Sequence, residues 1–196
     1  MTLADLLPDS DGHTALDEDD RLGLRPTYIA TRGDLFEAEQ RNIVKARLRR
    51  PPSAQELFDD WYLRRLHRAM FGDVWEWAGQ YRQRETNIGV DPGQIAADVR
   101  KLVGDVRAWI EYGTYPPDEI AVRFHHGLVA IHPFRNGNGR HSRIAADYLI
   151  VALDGARFGW GGQLTTGTDE LRATYLQALR QADDGDFDVL IAFARS

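Results

Sequence analysis

The chain has 196 residues, enough for one domain with a sizeable core and at most a small second one. Hydrophobic residues make up 43% and charged residues 28%, and the net charge of -6 argues against bulk electrostatic binding to nucleic acid or an anionic membrane. The absence of cysteine excludes disulfides, thiolate metal sites and cysteine nucleophiles. No basic-then-apolar leader opens the chain and no apolar run reaches the length of a membrane span, so a cytoplasmic protein is expected. The acidic run at 17–20 and the basic cluster of Lys45, Arg47, Arg49, Arg50, Arg64 and Arg65 are expected as solvated surface.

Residues 1–27 carry Pro8, Gly12, Gly23 and Pro26 among many aspartates, which predicts an irregular arm ahead of a domain spanning 28–196. Asp9-Ser10-Asp11-Gly12 lacks the downstream pattern of a calcium loop. Apolar spacing predicts a helix over 31–48, ended by Pro51-Pro52. Ser53-Ala54-Gln55-Glu56 is a capping box that opens a helix to about residue 70.

Residues 79–91, with Gly79, Tyr81, Thr86, Ile88, Gly89 and Val90, suit a short hairpin. Asp91-Pro92 gives a cap and a first-turn proline for a helix to 112, and Pro116-Pro117 opens another to about Ala130. Helices are further expected near 137–153, from Thr168 to about Ala182, and briefly after Asp186. The expectation is an all-α domain with one small β-hairpin. Trp61, Trp75, Trp77 and Trp109 are expected in the core, and Trp160, between glycines, at the surface.

The chemistry concentrates in residues 132–143, His-Pro-Phe-Arg-Asn-Gly-Asn-Gly-Arg-His-Ser-Arg. Gly137, Asn138 and Gly139 stand where a loop becomes a helix, whose first amides and positive dipole end favour an anion. Arg140 and Arg143 lie three apart on one helical face, with forks suited to phosphate oxygens. His132, five residues before the amides, is a natural proton acceptor for an attacking hydroxyl, and Phe134 is expected to anchor the loop in the core. His125 and His126 point to different helix faces, which disfavours a zinc site shared with His132. His141 is expected on another face from the two arginines, and neither His13 nor His67 carries a motif.

The segment resembles the motif of the Fic/DOC family, His-x-Phe-x-(Asp/Glu)-Gly-Asn-Gly-Arg-x-x-Arg. Gly23-Leu24-Arg25-Pro26 and Glu39-Gln40-Arg41-Asn42-Ile43 resemble its mobile mystery protein B subgroup, whose members are bacterial. The resemblance implies a Fic-fold helical bundle with a β-hairpin flap, and transfer of AMP from ATP to a hydroxyl of a target protein. It implies that His132 is the base and Phe134 the anchor. Gly137, Asn138 and Gly139 would hold the α- and β-phosphates, Arg140 would touch the phosphates, and Arg143 would meet the γ-phosphate. Arg84, Glu85, Thr86, Asn87 and Ile88 would form the flap that registers the target, and Tyr175 with the last helices would border the adenine pocket.

The departure is Asn136, where the family carries the acid that holds magnesium. An amide oxygen brings no charge, so weaker Mg²⁺ binding is expected. Three outcomes stay open: transfer with the phosphates carrying most of the metal, use of another phosphate-containing donor, or a nucleotide-binding protein with little catalysis. The resemblance also implies an inhibitory glutamate paired with Arg143; Glu39 is the first candidate and Glu37 the second. A toxin-like module held by a separately encoded regulatory partner is a further alternative. The sequence names neither the target protein nor the oligomeric state.

Overall fold

The computed structural model describes residue 21, residues 23–164 and residues 168–196, so most of the expected 1–27 arm lies outside the described residues. Helix α1 (Arg32–Arg47) opens on a capping box of Thr31 and Asp34. Thr31 Oγ1 accepts the Asp34 amide at 3.1 Å, and Asp34 Oδ2 accepts the Thr31 amide at 3.0 Å. The Ser53–Glu56 box forms as expected, with the Ser53 amide donating to Glu56 Oε2 at 2.8 Å and the Glu56 amide to Ser53 Oγ at 3.3 Å.

The helix this box starts is shorter than expected. It ends after one turn as α2 (Ala54–Leu57), because the Asp59 carboxylate accepts the Trp61 amide at 3.0 Å and caps a separate helix, α3 (Asp60–Phe71). Asp91 closes a turn by accepting the Gly93 and Gln94 amides, so α4 (Ile95–Glu111) begins three residues beyond Pro92. Helices α5 (Pro117–Ile131), α6 (Asn138–Ala152), α7 (Thr168–Asp183) and α8 (Asp188–Arg195) follow close to the expected bounds.

Helix α6 is the centre of the bundle. It packs along α5, which carries α4 and α8 on other sides, while α1 packs on α3 and α7 on α8. Leu149 and Ile150 of α6 are wholly buried, each contributing about 2 kcal/mol by removal from water. The N-terminal arm meets the bundle through an antiparallel bridge between Leu24 and Trp75. No helix among the described residues is long and apolar enough to cross a membrane.

Three expectations are corrected. No strand forms among the described residues, so the 79–91 hairpin is absent. Its backbone groups are engaged elsewhere: the Arg82 amide donates to Pro133 O and the Val90 amide to Ile131 O, while the Arg82 side chain takes the carbonyls of Arg84 and Val90. Trp61 is 59% exposed rather than buried, lying against the Arg64 guanidinium 4.5 Å from its ring centre. Trp160 is 1% exposed rather than at the surface, because its indole N–H donates at 2.9 Å to the buried Asp147 carboxylate. Trp75 is buried, and Trp77 and Trp109 pack against the core as expected.

Candidate functional site

The site is built where α5 ends and α6 begins. His132 is the C-cap of α5, in the left-handed region at φ 52, ψ 59. A β-carbon-bearing residue reaches that conformation only when its surroundings hold it there. Burial, and then the charge of Arg82, push the His132 pKa below the usual histidine value, so the ring is neutral at neutral pH. A neutral, half-buried imidazole is a proton acceptor.

The loop from 133 to 137 is fixed by its own side chains. Phe134 is 0% exposed and stacks on the His67 ring at 3.8 Å, with His141 edge-on at 5.0 Å. Asn138 closes the loop twice over: its Oδ1 accepts the Phe134 amide at 2.8 Å and its Nδ2 donates to Phe134 O at 2.7 Å. The Asn138 side chain therefore faces inward, engaged with the Phe134 backbone. The first intrahelical bond of α6 runs from the His141 amide to Gly137 O at 2.9 Å. The amides of Asn138, Gly139 and Arg140 precede it and have no partner within the helix.

The two glycines serve different ends. Gly137 has φ 78, and a β-carbon there would lie 2.5 Å from Phe71 Cζ, so the turn itself requires glycine. At Gly139 a β-carbon would meet nothing nearer than Arg143 Nη2 at 3.8 Å. Packing does not demand glycine at 139; the open space leaves room for an anion to approach the backbone.

Both motif arginines line one cleft between α6 and α1, with Gln40, Ile43, Arg47, Ile144, Asp147 and Trp160. The expected Glu39–Arg143 pair is corrected: Glu39, 4% exposed, pairs with Arg140, Oε2 to Nη1 at 2.7 Å. Glu39 faces the first turn of α6, where Arg140 stands. Arg143, one turn on, donates from Nε to Gly139 O at 3.2 Å and lies over the Tyr175 ring. Glu37 is exposed. With α1 in place the cleft encloses about 20 Å³, room for about one water molecule.

Asn136 is exposed and its Oδ1 accepts the Gly137 amide at 2.6 Å. An uncharged oxygen already engaged with the backbone does not fit a tightly held magnesium ion. Among the described residues no group of three His, Asp or Glu side chains is placed to hold a metal. His125 and His126 diverge, the first to the Tyr175 hydroxyl at 3.0 Å and the second to Asp183 at 2.7 Å. Arg84, Glu85, Thr86, Asn87 and Ile88 are all exposed, and Gly89 brings that segment against His132: a β-carbon there would lie 2.6 Å from His132 Cβ.

Two residues that sequence reasoning passed over complete the site. His67 is buried, accepts the Gly79 amide at Nδ1 at 3.0 Å, and so donates from Nε2 to Asn136 O at 3.0 Å. Burial holds it neutral, well below the usual histidine range. Its signal was a histidine at helical spacing among Leu63, Leu66, Met70 and Phe71. Arg82 gave no local signal, since its partners are the Arg84 and Val90 carbonyls and residues 131–133.

The chain is similar to known proteins in sequence and in fold. Residues 57–150 match the model of the Fic/DOC family. The chain is 29% identical over 134 residues to a protein adenylyltransferase Fic of Drosophila erecta, covering 65% of this chain and 25% of that protein. It therefore spans about a quarter of the length of such curated relatives. Among solved structures, the BepC protein of Bartonella tribocorum with bound AMPPNP superposes with TM-score 0.65 at 19% identity, covering 96% of this chain and 93% of that one. The N-terminal Fic domain of Bep8 from Bartonella sp. 1-1C gives 0.67 at 17% identity, covering 90% and 95%. At those identities the structures show the all-α Fic fold.

Proposed function

Residues 57–150 of this chain belong to the Fic/DOC family, and on that premise we propose that the protein transfers AMP from ATP to a hydroxyl side chain of a target protein. The observation that carries the proposal is His132: a neutral imidazole at the end of α5, directly ahead of the open amides of Asn138, Gly139 and Arg140. The target hydroxyl gives its proton to His132 as its oxygen attacks the α-phosphorus. The bond from that phosphorus to the bridging oxygen breaks, and pyrophosphate leaves with the electron pair. The α6 amides hold the α- and β-phosphates, and Arg140 and Arg143 neutralise the charge that builds on the leaving group. The exposed 84–88 segment presents the target.

In this reading Glu39 is a brake. Its 2.7 Å pair with Arg140 occupies a cation that the phosphates require, and α1 fills the cleft beside Arg143. A triphosphate gains full access when Glu39 lets go. Magnesium is weakly held, because Asn136 supplies no charge.

A second reading, a nucleotide-binding protein with little transfer, is favoured by Asn136 alone. Incubating the protein with ATP, Mg²⁺ and a lysate separates the two. Transfer predicts proteins heavier by one AMP that are absent with His132→Ala; binding alone predicts nucleotide retention with no mass change in either form.

A further inference from the structure

We propose that Arg82 is the positioning residue of the transfer reaction, fastening His132 and both ends of the 84–90 flap into one hydrogen-bonded unit; this rests on His132 being the base. The Arg82 side chain is 5% exposed, and each of its three nitrogens has a carbonyl. Nε donates to His132 O at 2.8 Å, Nη1 to Arg84 O at 2.9 Å, and Nη2 to Val90 O. Its backbone amide donates to Pro133 O at 2.9 Å. One planar fork therefore grips the base from its own carbonyl while closing the flap at its first and last residues.

The choice of arginine follows from this geometry. Among the described residues no carboxylate pairs with Arg82, although it is buried. Its charge faces the carbonyl end of α5, which carries the negative pole of the helix and ends at Ile131. A lysine has the charge but presents its donors from a single atom and cannot span three separated carbonyls. A glutamine has donors but neither the fork nor the charge.

The flap also touches the base directly. Gly89 sits at φ 105, and a β-carbon there would fall 2.6 Å from His132 Cβ and 2.7 Å from Arg82 Nη2. Displacing the flap, as a docking target would, therefore bears on Arg82 and through it on the left-handed backbone of His132. Arg82 acts on the reaction through His132, not on the phosphates.

The test compares Arg82→Lys and Arg82→Gln. The readouts are the His132 ring titration by NMR in the nucleotide-free protein, amide exchange at 84–90 and 131–133, and kcat and KM for ATP. In the Gln variant the His132 pKa rises towards the ordinary value, because the charge beside it is gone. The Lys variant keeps the low value. Both accelerate amide exchange in the flap and lower kcat by about 10²-fold, the effect of a small misplacement of a reacting group. KM for ATP stays near the parent value, since the phosphate site is untouched.

Unchanged exchange and an unchanged kcat in the Lys variant overturn the proposal, and that milder variant decides the matter if the Gln form does not fold. Equal losses in kcat, ATP affinity and melting temperature also overturn it, since they mean a purely structural role. If the parent protein transfers nothing, the reading of the activity fails. The titration and exchange data then still decide whether Arg82 ties His132 to the flap.

Discussion

Glu39 and Arg140 are joined across the α1–α6 cleft at 2.7 Å, and the second Glu39 oxygen accepts the Trp75 indole N–H at 2.6 Å. The carboxylate is thereby fixed from two sides, and the arginine nearest the open amides of α6 already has an anion. A nucleotide that needs Arg140 competes with an intramolecular partner held in place at no cost in binding.

Glu39→Gln keeps the shape and an acceptor for Trp75 while removing the competing charge. ATP affinity is expected to rise about tenfold or more, roughly 1.4 kcal/mol. The nucleotide-free protein loses about 1.5–3 kcal/mol, the worth of a charge-assisted hydrogen bond. Isothermal titration with ATP and denaturant melts measure the two, and unchanged affinity would refute the brake.

His132→Ala is expected to lower transfer by about 10²–10⁴-fold, the range for loss of a general base, with ATP affinity little changed. Rate assays beside equilibrium binding check the split. Because burial and Arg82 hold the His132 pKa below the usual histidine value, kcat/KM should begin to fall at a lower pH than an ordinary histidine base would give.

Asn136→Asp restores an anionic oxygen at the head of α6. ATP binding should then strengthen on adding Mg²⁺, whereas the parent protein is expected to show little dependence. Titrating ATP with and without the metal in both proteins makes the comparison; identical metal dependence would show that position 136 plays no part in holding it.

Stability should fall in mild acid. His67, His125 and His141 are buried neutral, with pKa values below the 6.5 of a free histidine, and His141 is pushed down to about 4. Well above pH 6.5 neither state carries these protons, so stability does not depend on them. Below it the unfolded chain takes up protons that the folded one refuses, and each histidine costs about 1.4 kcal/mol per pH unit. The loss continues until pH reaches the folded-state values. Thermal melts at pH 8.5, 7.5 and 5.5 should hold steady and then drop; a flat series would contradict the buried neutral state.

How much of this was visible in the sequence depends on how local the cause was. Caps and turns are local, so Ser53–Glu56, Pro117 and the change from loop to helix at Gly137 were legible. Contacts between distant segments were not. His67 reaches Asn136 across 69 residues and Arg82 reaches His132 across 50, and no spacing rule registers such pairs. The same cause defeated the hairpin, whose alternation suited strands while Arg82 claimed the carbonyls at its ends. Trp160 was misplaced because its glycine neighbours suggested solvent, whereas its position is set by the buried Asp147 carboxylate. The resemblance pointed to Glu39 pairing with Arg143, whereas Glu39 pairs with Arg140.

The most direct test of the central claim follows the label of ATP. The Glu39→Gln protein, with and without His132→Ala, is incubated with a lysate and ATP labelled at either the α- or the γ-phosphate. Protein-bound label is predicted from α-labelled ATP only, and only when His132 is present. Incorporation from the γ-position, incorporation that survives loss of His132, or none from either position would contradict AMP transfer by this site.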